Sequence, residues 1–148
     1  MKKQTLRIFL IFSVLSILAA MSVHAQSSNQ QTANIPFSFN VDGKTFPAGL
    51  YSVTRLNPQS DKAALAIKSA DGSISQVVLT MPVQAGKPQE SAKLVFSRYG
   101  EQYFLSQVWT PANNTGLELP KSRAEKTLAR NAQAAPERTT IALNSHRR

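Results

Sequence analysis

Between Gln26 and Pro120 the side chains able to do acid–base chemistry are six carboxylates, Asp42, Asp61, Asp71, Glu90, Glu101 and Glu118, with lysines and tyrosines but neither histidine nor cysteine. The two histidines, His24 and His146, stand near opposite ends of the chain. The body therefore cannot build a Ser-His-Asp or Cys-His triad, a zinc site of imidazole or thiolate ligands, or a haem held by histidine. Two carboxylates suffice for glycoside hydrolysis, but Asp42, Asp61 and Asp71 stand in turn sequences where Asp is ordinary, and Glu90, Glu101 and Glu118 lie in or beside loops. No spacing singles out a pair. Neither a Gly-rich phosphate loop nor a calcium loop is present. The expectation is a protein that is not an enzyme and has no catalytic, cofactor-binding or metal-ligating residues.

Two groups of residues remain as candidate binding sites. Arg98 and Tyr99, with Trp109 ten residues beyond, are side chains of the kind that anchor interfaces; the competing reading has Trp109 capping the core and Arg98 pairing with Glu101. The second group is Lys121, Arg123, Lys126 and Arg130. From Lys121 to Arg148 there are 7 basic and 2 acidic residues, whereas Gln26 to Pro120 has 7 and 6. A basic tail on a near-neutral body suits anionic surfaces such as phosphates, acidic polysaccharide or lipid headgroups.

The elements that must carry these residues follow from pattern. Lys2, Lys3 and Arg7 precede the apolar run Ile8 to Ala20, and Val23-His24-Ala25 offers small residues for cleavage before Gln26, the three-part form of a signal peptide. Residues 1–25 are thus expected to be removed, leaving no membrane span, and the protein to be exported to the periplasm or beyond. Residues 26–33 read as a flexible leader and 34–134 as a single domain. Ile35 to Val41 alternates as a half-buried strand, Asp42-Gly43 turns it, Leu50 to Leu56 and Ala64 to Lys68 follow, and Asp71-Gly72 turns again. Ser73 to Val83 reads as one long strand whose middle, Val77-Val78-Leu79, is covered on both faces.

Lys93 to Trp109 is the densest apolar run of this domain. It predicts a hairpin turning at Tyr99-Gly100, with Arg98 opposite Glu101, Phe96 opposite Tyr103, Val95 opposite Phe104 and Leu94 opposite Leu105. Leu94, Phe96, Tyr103 and Leu105 then share one face, and Val95, Phe104 and Val108 the other. Ser122 with Glu125 forms a capping box that opens a helix from about residue 122, running from Arg123 to Gln133 with Ala124, Leu128 and Ala132 as its apolar stripe. Residues 135–148 read as a disordered basic tail, so truncation after Pro120 is expected to spare the sheet. The fold class is all-β, a small antiparallel barrel or sandwich of about seven or eight strands with one C-terminal helix.

Asn34 to Val53, Leu94 to Trp109 and the Glu-Leu-Pro-Lys-Ser-Arg-Ala-Glu segment at Glu118 to Glu125 resemble a family of small secreted proteins abundant in acidobacteria. The resemblance spans Asn34 to Arg130. It implies no activity, but it does imply that the hairpin and the helix form one unit, with the helix docked on the sheet. The functional expectation is an exported, non-catalytic binding or structural module of the cell envelope or extracellular space. An anionic envelope component or another envelope protein is its expected partner, and specific nucleic acid is not. The alternative is a carrier holding a small apolar ligand inside a β-barrel.

Overall fold

The computed structural model describes residues 30–57, 63–132 and 135–145; the expected signal peptide, Asp61 and both histidines lie outside them. In chain order the strands are β1 (Gln30–Ile35), β2 (Phe39–Val41), β3 (Lys44–Phe46), β4 (Gly49–Arg55), β5 (Ala64–Ser69), β6 (Ser75–Leu79), β7 (Met81–Gln84), β8 (Lys93–Tyr99), β9 (Gln102–Trp109) and β10 (Thr115–Glu118). The helix α1 (Arg123–Asn131) follows, then β11 (Glu137–Ala142) and β12 (Asn144–Ser145). One sheet has the order β12-β1-β4-β5-β6 and the other β11-β8-β9-β10-β7, with β2 pairing β3 and β9. Over the described residues the fold is an all-β sandwich with one helix, towards the C-terminal end, and not a closed barrel.

There are more strands than the sequence predicts because the chain changes sheet inside runs that read as continuous. The alternating run Ile35 to Val41 is cut at Pro36, which has no N–H to donate to a ladder. Ile35 pairs with Gly49 in the first sheet, whereas Phe39 pairs with Phe46 and Tyr103 in the second. The alternation survives the crossing, since Ile35, Phe39 and Val41 are buried and Phe37 packs on the core. Likewise Ser73 to Val83 is two strands divided at buried Thr80, whose backbone N–H and Oγ1 both donate to the carbonyl of Ala63 at 2.9 and 2.7 Å. Val77 and Leu79 are not covered on both faces as expected: they are 57% and 70% exposed, and only Val78 of that triplet is in the core.

The central hairpin also departs from its expected register. Tyr99 pairs with Gln102, Arg98 with Tyr103 and Phe96 with Leu105, so the turn is Gly100-Glu101, with Gly100 at φ 62°. A glycine with positive φ at the first central position is what a II′ turn requires. The pairing then shifts between Val95 and Phe96, leaving Ser106 as an extra residue whose Oγ donates to the Val95 carbonyl at 2.9 Å. That bulge moves Val108 to the core face beside Leu94, reversing its expected placement with Phe104.

The space between the sheets is filled largely by rings. Phe39 lies 5.2 Å from Phe46, 5.1 Å from Tyr51 and 5.5 Å from Phe96, mostly edge to face. These contacts add roughly 0.5–1.5 kcal/mol each to area burial. The Tyr51 hydroxyl, the polar atom such burial has to satisfy, donates to the Pro47 carbonyl at 2.6 Å.

The described parts of the expected leader and tail, residues 30–33 and 135–145, contain strands, while residues 26–29 and 146–148 lie outside the described residues. Gln30 to Ala33 pair along β4 as part of β1, and Ala33 is fully buried. Within residues 135–148, β11 pairs all six of its residues with β8, and β12 pairs with β1. Between them Leu143 is buried and its N–H donates to the Ala92 carbonyl at 2.9 Å, so the tail stitches the two sheets together. Thr139, Thr140 and Ile141 are β-branched residues that suit a pleated surface; their charged and polar neighbours concealed the signal.

Candidate functional site

Asp42, Asp71, Glu101 and Glu118 stand in turns or bond to neighbouring side chains. Asp71 Oδ1 accepts from Ser69 Oγ at 2.6 Å, Ser73 N at 3.0 Å and Ser73 Oγ at 2.9 Å. These bonds, the one from Ser69 first, lower its pKa to about 2 and fix the turn between β5 and β6. Asp42, at φ 48°, is the first residue of the turn between β2 and β3. Glu101 pairs with Arg98 at 3.4 Å, and Glu118 accepts from Gln107 Nε2 at 3.4 Å. Among the described residues, no three His, Cys, Asp or Glu side chains gather where they could hold a metal ion.

At the hairpin, Arg98 is held from several sides. Its Nε donates to the Gly100 carbonyl at 2.7 Å, its terminal nitrogens lie 3.4 Å from Glu101 and 3.4 Å from Glu137, and its guanidinium sits 5.5 Å from the centre of the Tyr103 ring. The expected pairing with Glu101 is present, and Glu137 is a partner the sequence reading missed because it was placed in a disordered tail. The expected interface group does not hold together: Tyr99 is only 8% exposed and Trp109 6%. Trp109 Nε1 donates to Gln107 Oε1 at 3.1 Å, and its ring lies so close to Gly116 that a Cβ there would stand 2.6 Å from it. Trp109 is therefore a packing residue off the main core, and Gly116 is required beneath it.

The helix is where side chains remain available. Its start agrees with the sequence reading, since Ser122 Oγ accepts from Glu125 N at 3.2 Å; it ends at Asn131 rather than Gln133. Its buried face differs from the expected stripe. Ala124 and Ala132 are exposed, Leu128 and Ala129 are half-buried, and the buried residue is Glu125, at 4% exposure. A turn of about one residue, roughly 100°, separates the two readings. Arg123, Lys126, Thr127 and Arg130 line an open cleft of about 400 Å³ on the solvent side. Positions three, four and seven apart share one helix face. All three cations are exposed, and none of them forms an ion pair with a described residue. Lys121, also exposed, precedes the helix and acts electrostatically on Glu125.

This arrangement does not serve the helix itself. Arg123 stands at the end where the macrodipole is positive, and Lys126 and Arg130 repel each other at i,i+4, each costing some tenths of a kcal/mol. Only Arg130, in the last turn, is favourably placed.

Glu125 adds a second electrostatic strain. Its Oε1 is buried without a hydrogen-bond partner, and its pKa is raised, by desolvation first and by the Glu118 carboxylate, against an opposing effect of Lys121. The native state then holds the proton more tightly than the unfolded chain. The corresponding stability is full below the ordinary value of 4.5 and is lost as pH rises through the native pKa. Glu125→Gln should therefore raise the urea midpoint at pH 8 and change it little near pH 4. An equal loss at both pH values would mean that the carboxylate is not the strained group.

No protein-family model, curated protein or solved structure matches this chain.

Proposed function

We propose that this is an exported, non-catalytic β-sandwich module that attaches reversibly to an anionic component of the cell envelope or extracellular matrix through the Arg123, Lys126 and Arg130 face of α1, with Lys121 beside it. The observation that carries this reading is the placement of three exposed cations around one cleft, at some cost to the helix, in a chain whose stretch from Gln26 to Pro120 is nearly neutral, with 7 basic and 6 acidic residues. Export rests on the tripartite N-terminus, and the resemblance to small secreted acidobacterial proteins accords with it. The rings of Phe39, Phe46, Tyr51 and Phe96, packed at 5–6 Å spacings between the sheets, favour this module over a carrier of a small apolar ligand.

Each cation close to an anionic membrane contributes about 1 kcal/mol, and the attraction is screened over about 8 Å at physiological ionic strength. Attachment is therefore weak and salt-sensitive, with no sequence-specific reading of nucleic acid. The chain from Gln26, which contains every described strand, should co-sediment with phosphatidylglycerol-containing vesicles at low salt. The variant Arg123→Gln, Lys126→Gln, Arg130→Gln should lose roughly 100-fold in affinity, the sum of three such contributions at 1.4 kcal/mol per tenfold. Undiminished binding by the triple variant would refute the assignment to this face.

A further inference from the structure

The first sheet ends on β6, an edge with little of the usual protection. Among the described residues β6 has β5 as its sole neighbour. Ser69 N donates to the Ile74 carbonyl and Thr80 N to the Ala63 carbonyl, so the even-numbered residues of this segment bond to β5. In an antiparallel ladder the alternate residues then turn their N–H and C=O outward, and these are Ser75, Val77 and Leu79. One outward group is already engaged, because Lys44 Nζ donates to the Ser75 carbonyl at 3.1 Å.

The same strand has an apolar outer face. Leu79 lies opposite Ala64, which accepts from the Leu56 N–H, and Val77 lies opposite Ala66. Leu56, Val77 and Leu79, with Met81 just past the crossing at Thr80, are all exposed. No charged residue occurs from Gly72 to Gly86. Natural edges are ordinarily blunted by charge, proline or a bulge; here, among the described residues, Lys44 guards one end and the rest is open.

We infer that β6 pairs antiparallel with β6 of a second copy of this chain about a two-fold axis, joining two five-stranded sheets into one. Two features select a second copy as the occupant. The patch carries no charge from Gly72 to Gly86, so two copies bring no like charges together at the contact itself, and the surface is complementary to itself as a two-fold contact requires. Lys44 fixes the register: with the Ser75 carbonyl taken, the symmetric pairing centres on Val78 and sets Val77 of each copy opposite Leu79 of the other. Four backbone hydrogen bonds and one apolar cluster fall short of the roughly 1,200–2,000 Å² that stable complexes bury. The dimer is therefore reversible and concentration-dependent.

The chain contains no cysteine, which permits a direct test on the protein from Gln26. In sedimentation velocity the weight-average mass should rise from that of one chain towards that of two across the micromolar to millimolar range. Val77→Lys and Leu79→Lys should each stay monomeric while keeping the wild-type circular dichroism. Under mild oxidation, Val77→Cys mixed with Leu79→Cys should form disulfide-linked dimer several-fold faster than either alone or than Leu50→Cys, a control exposed on β4, which β5 separates from β6. A wild type monomeric throughout, a dimer that survives both lysine substitutions, or preferential self-linking of Val77→Cys would each overturn the proposal. The first of these leaves β6 as an edge for a different, extended partner.

Discussion

A chain ending at Pro120 should fail to fold, losing the cooperative urea transition and the strand signal in circular dichroism. The cut removes β11, whose six residues pair with β8, and β12, which pairs with β1. It also removes Leu143, buried where the chain passes from one sheet to the other, and Ile141, packed against the core. Burial of one such side chain stabilises by about 1.5–3 kcal/mol, and loss of the β11 ladder turns β8 into an open edge. Against a total stability of about 5–15 kcal/mol, the combined loss leaves no stable native state. A truncated protein with an unchanged unfolding midpoint would mean that the terminal strands are not part of the fold. The same result decides how the basic face should be probed: by substitution, since truncation removes structure together with charge.

Phe96→Ala should destabilise by about 3–5 kcal/mol, the range for removing a buried ring from a core that cannot collapse. Phe96 is fully buried, lies 5.2 Å from Phe37 and 5.5 Å from Phe39 at near-perpendicular angles, and pairs with Leu105 across the hairpin. It therefore touches β9 and both sides of the crossing from β1 to β2, and a void there loses packing to three segments at once. Leu50→Ala is the matched control: Leu50 is half exposed on the outer face of β4, and its loss should fall within about 0.5 kcal/mol. Equal urea shifts for the two variants would place the core elsewhere.

What could be read from the sequence was local. Asp42-Gly43, Asp71-Gly72 and Gly100 mark turns because backbone conformation there is a property of a few residues, and Ser122 marks the helix start for the same reason. Interior identity was legible too, since Phe37, Phe39, Tyr51 and Phe96 lie where alternation puts them. Sheet membership was not. Alternation reports a period and carries no information about which neighbour a strand chooses, so Ile35 to Val41 looked continuous although Pro36 hands it from one sheet to the other. The Ser106 bulge escaped because a one-residue offset leaves no mark in composition, yet it decides that Val108 faces the core.

The candidate site was legible by residue and not by surroundings. Lys121, Arg123, Lys126 and Arg130 were singled out from charge and spacing, and the structure leaves all four exposed. Tyr99 and Trp109 were singled out by type alone, and both are buried. The face opposite the cations was misread because a helix with few large apolar residues gives little phase information, and the buried position went to Glu125 instead of Ala124.

The proposed attachment depends on where the charge lies, not on how much there is. Its most direct test compares two variants of equal net charge for the salt concentration that releases them from phosphatidylglycerol-containing vesicles. One carries Arg123→Gln, Lys126→Gln and Arg130→Gln; the other carries Lys68→Gln, Lys87→Gln and Arg138→Gln, three exposed cations that do not line the cleft. The first should be released at much lower salt than the wild type, and the second near the wild-type value. Equal release of the two variants would show that net charge alone governs binding and would contradict a dedicated anionic-surface face on α1.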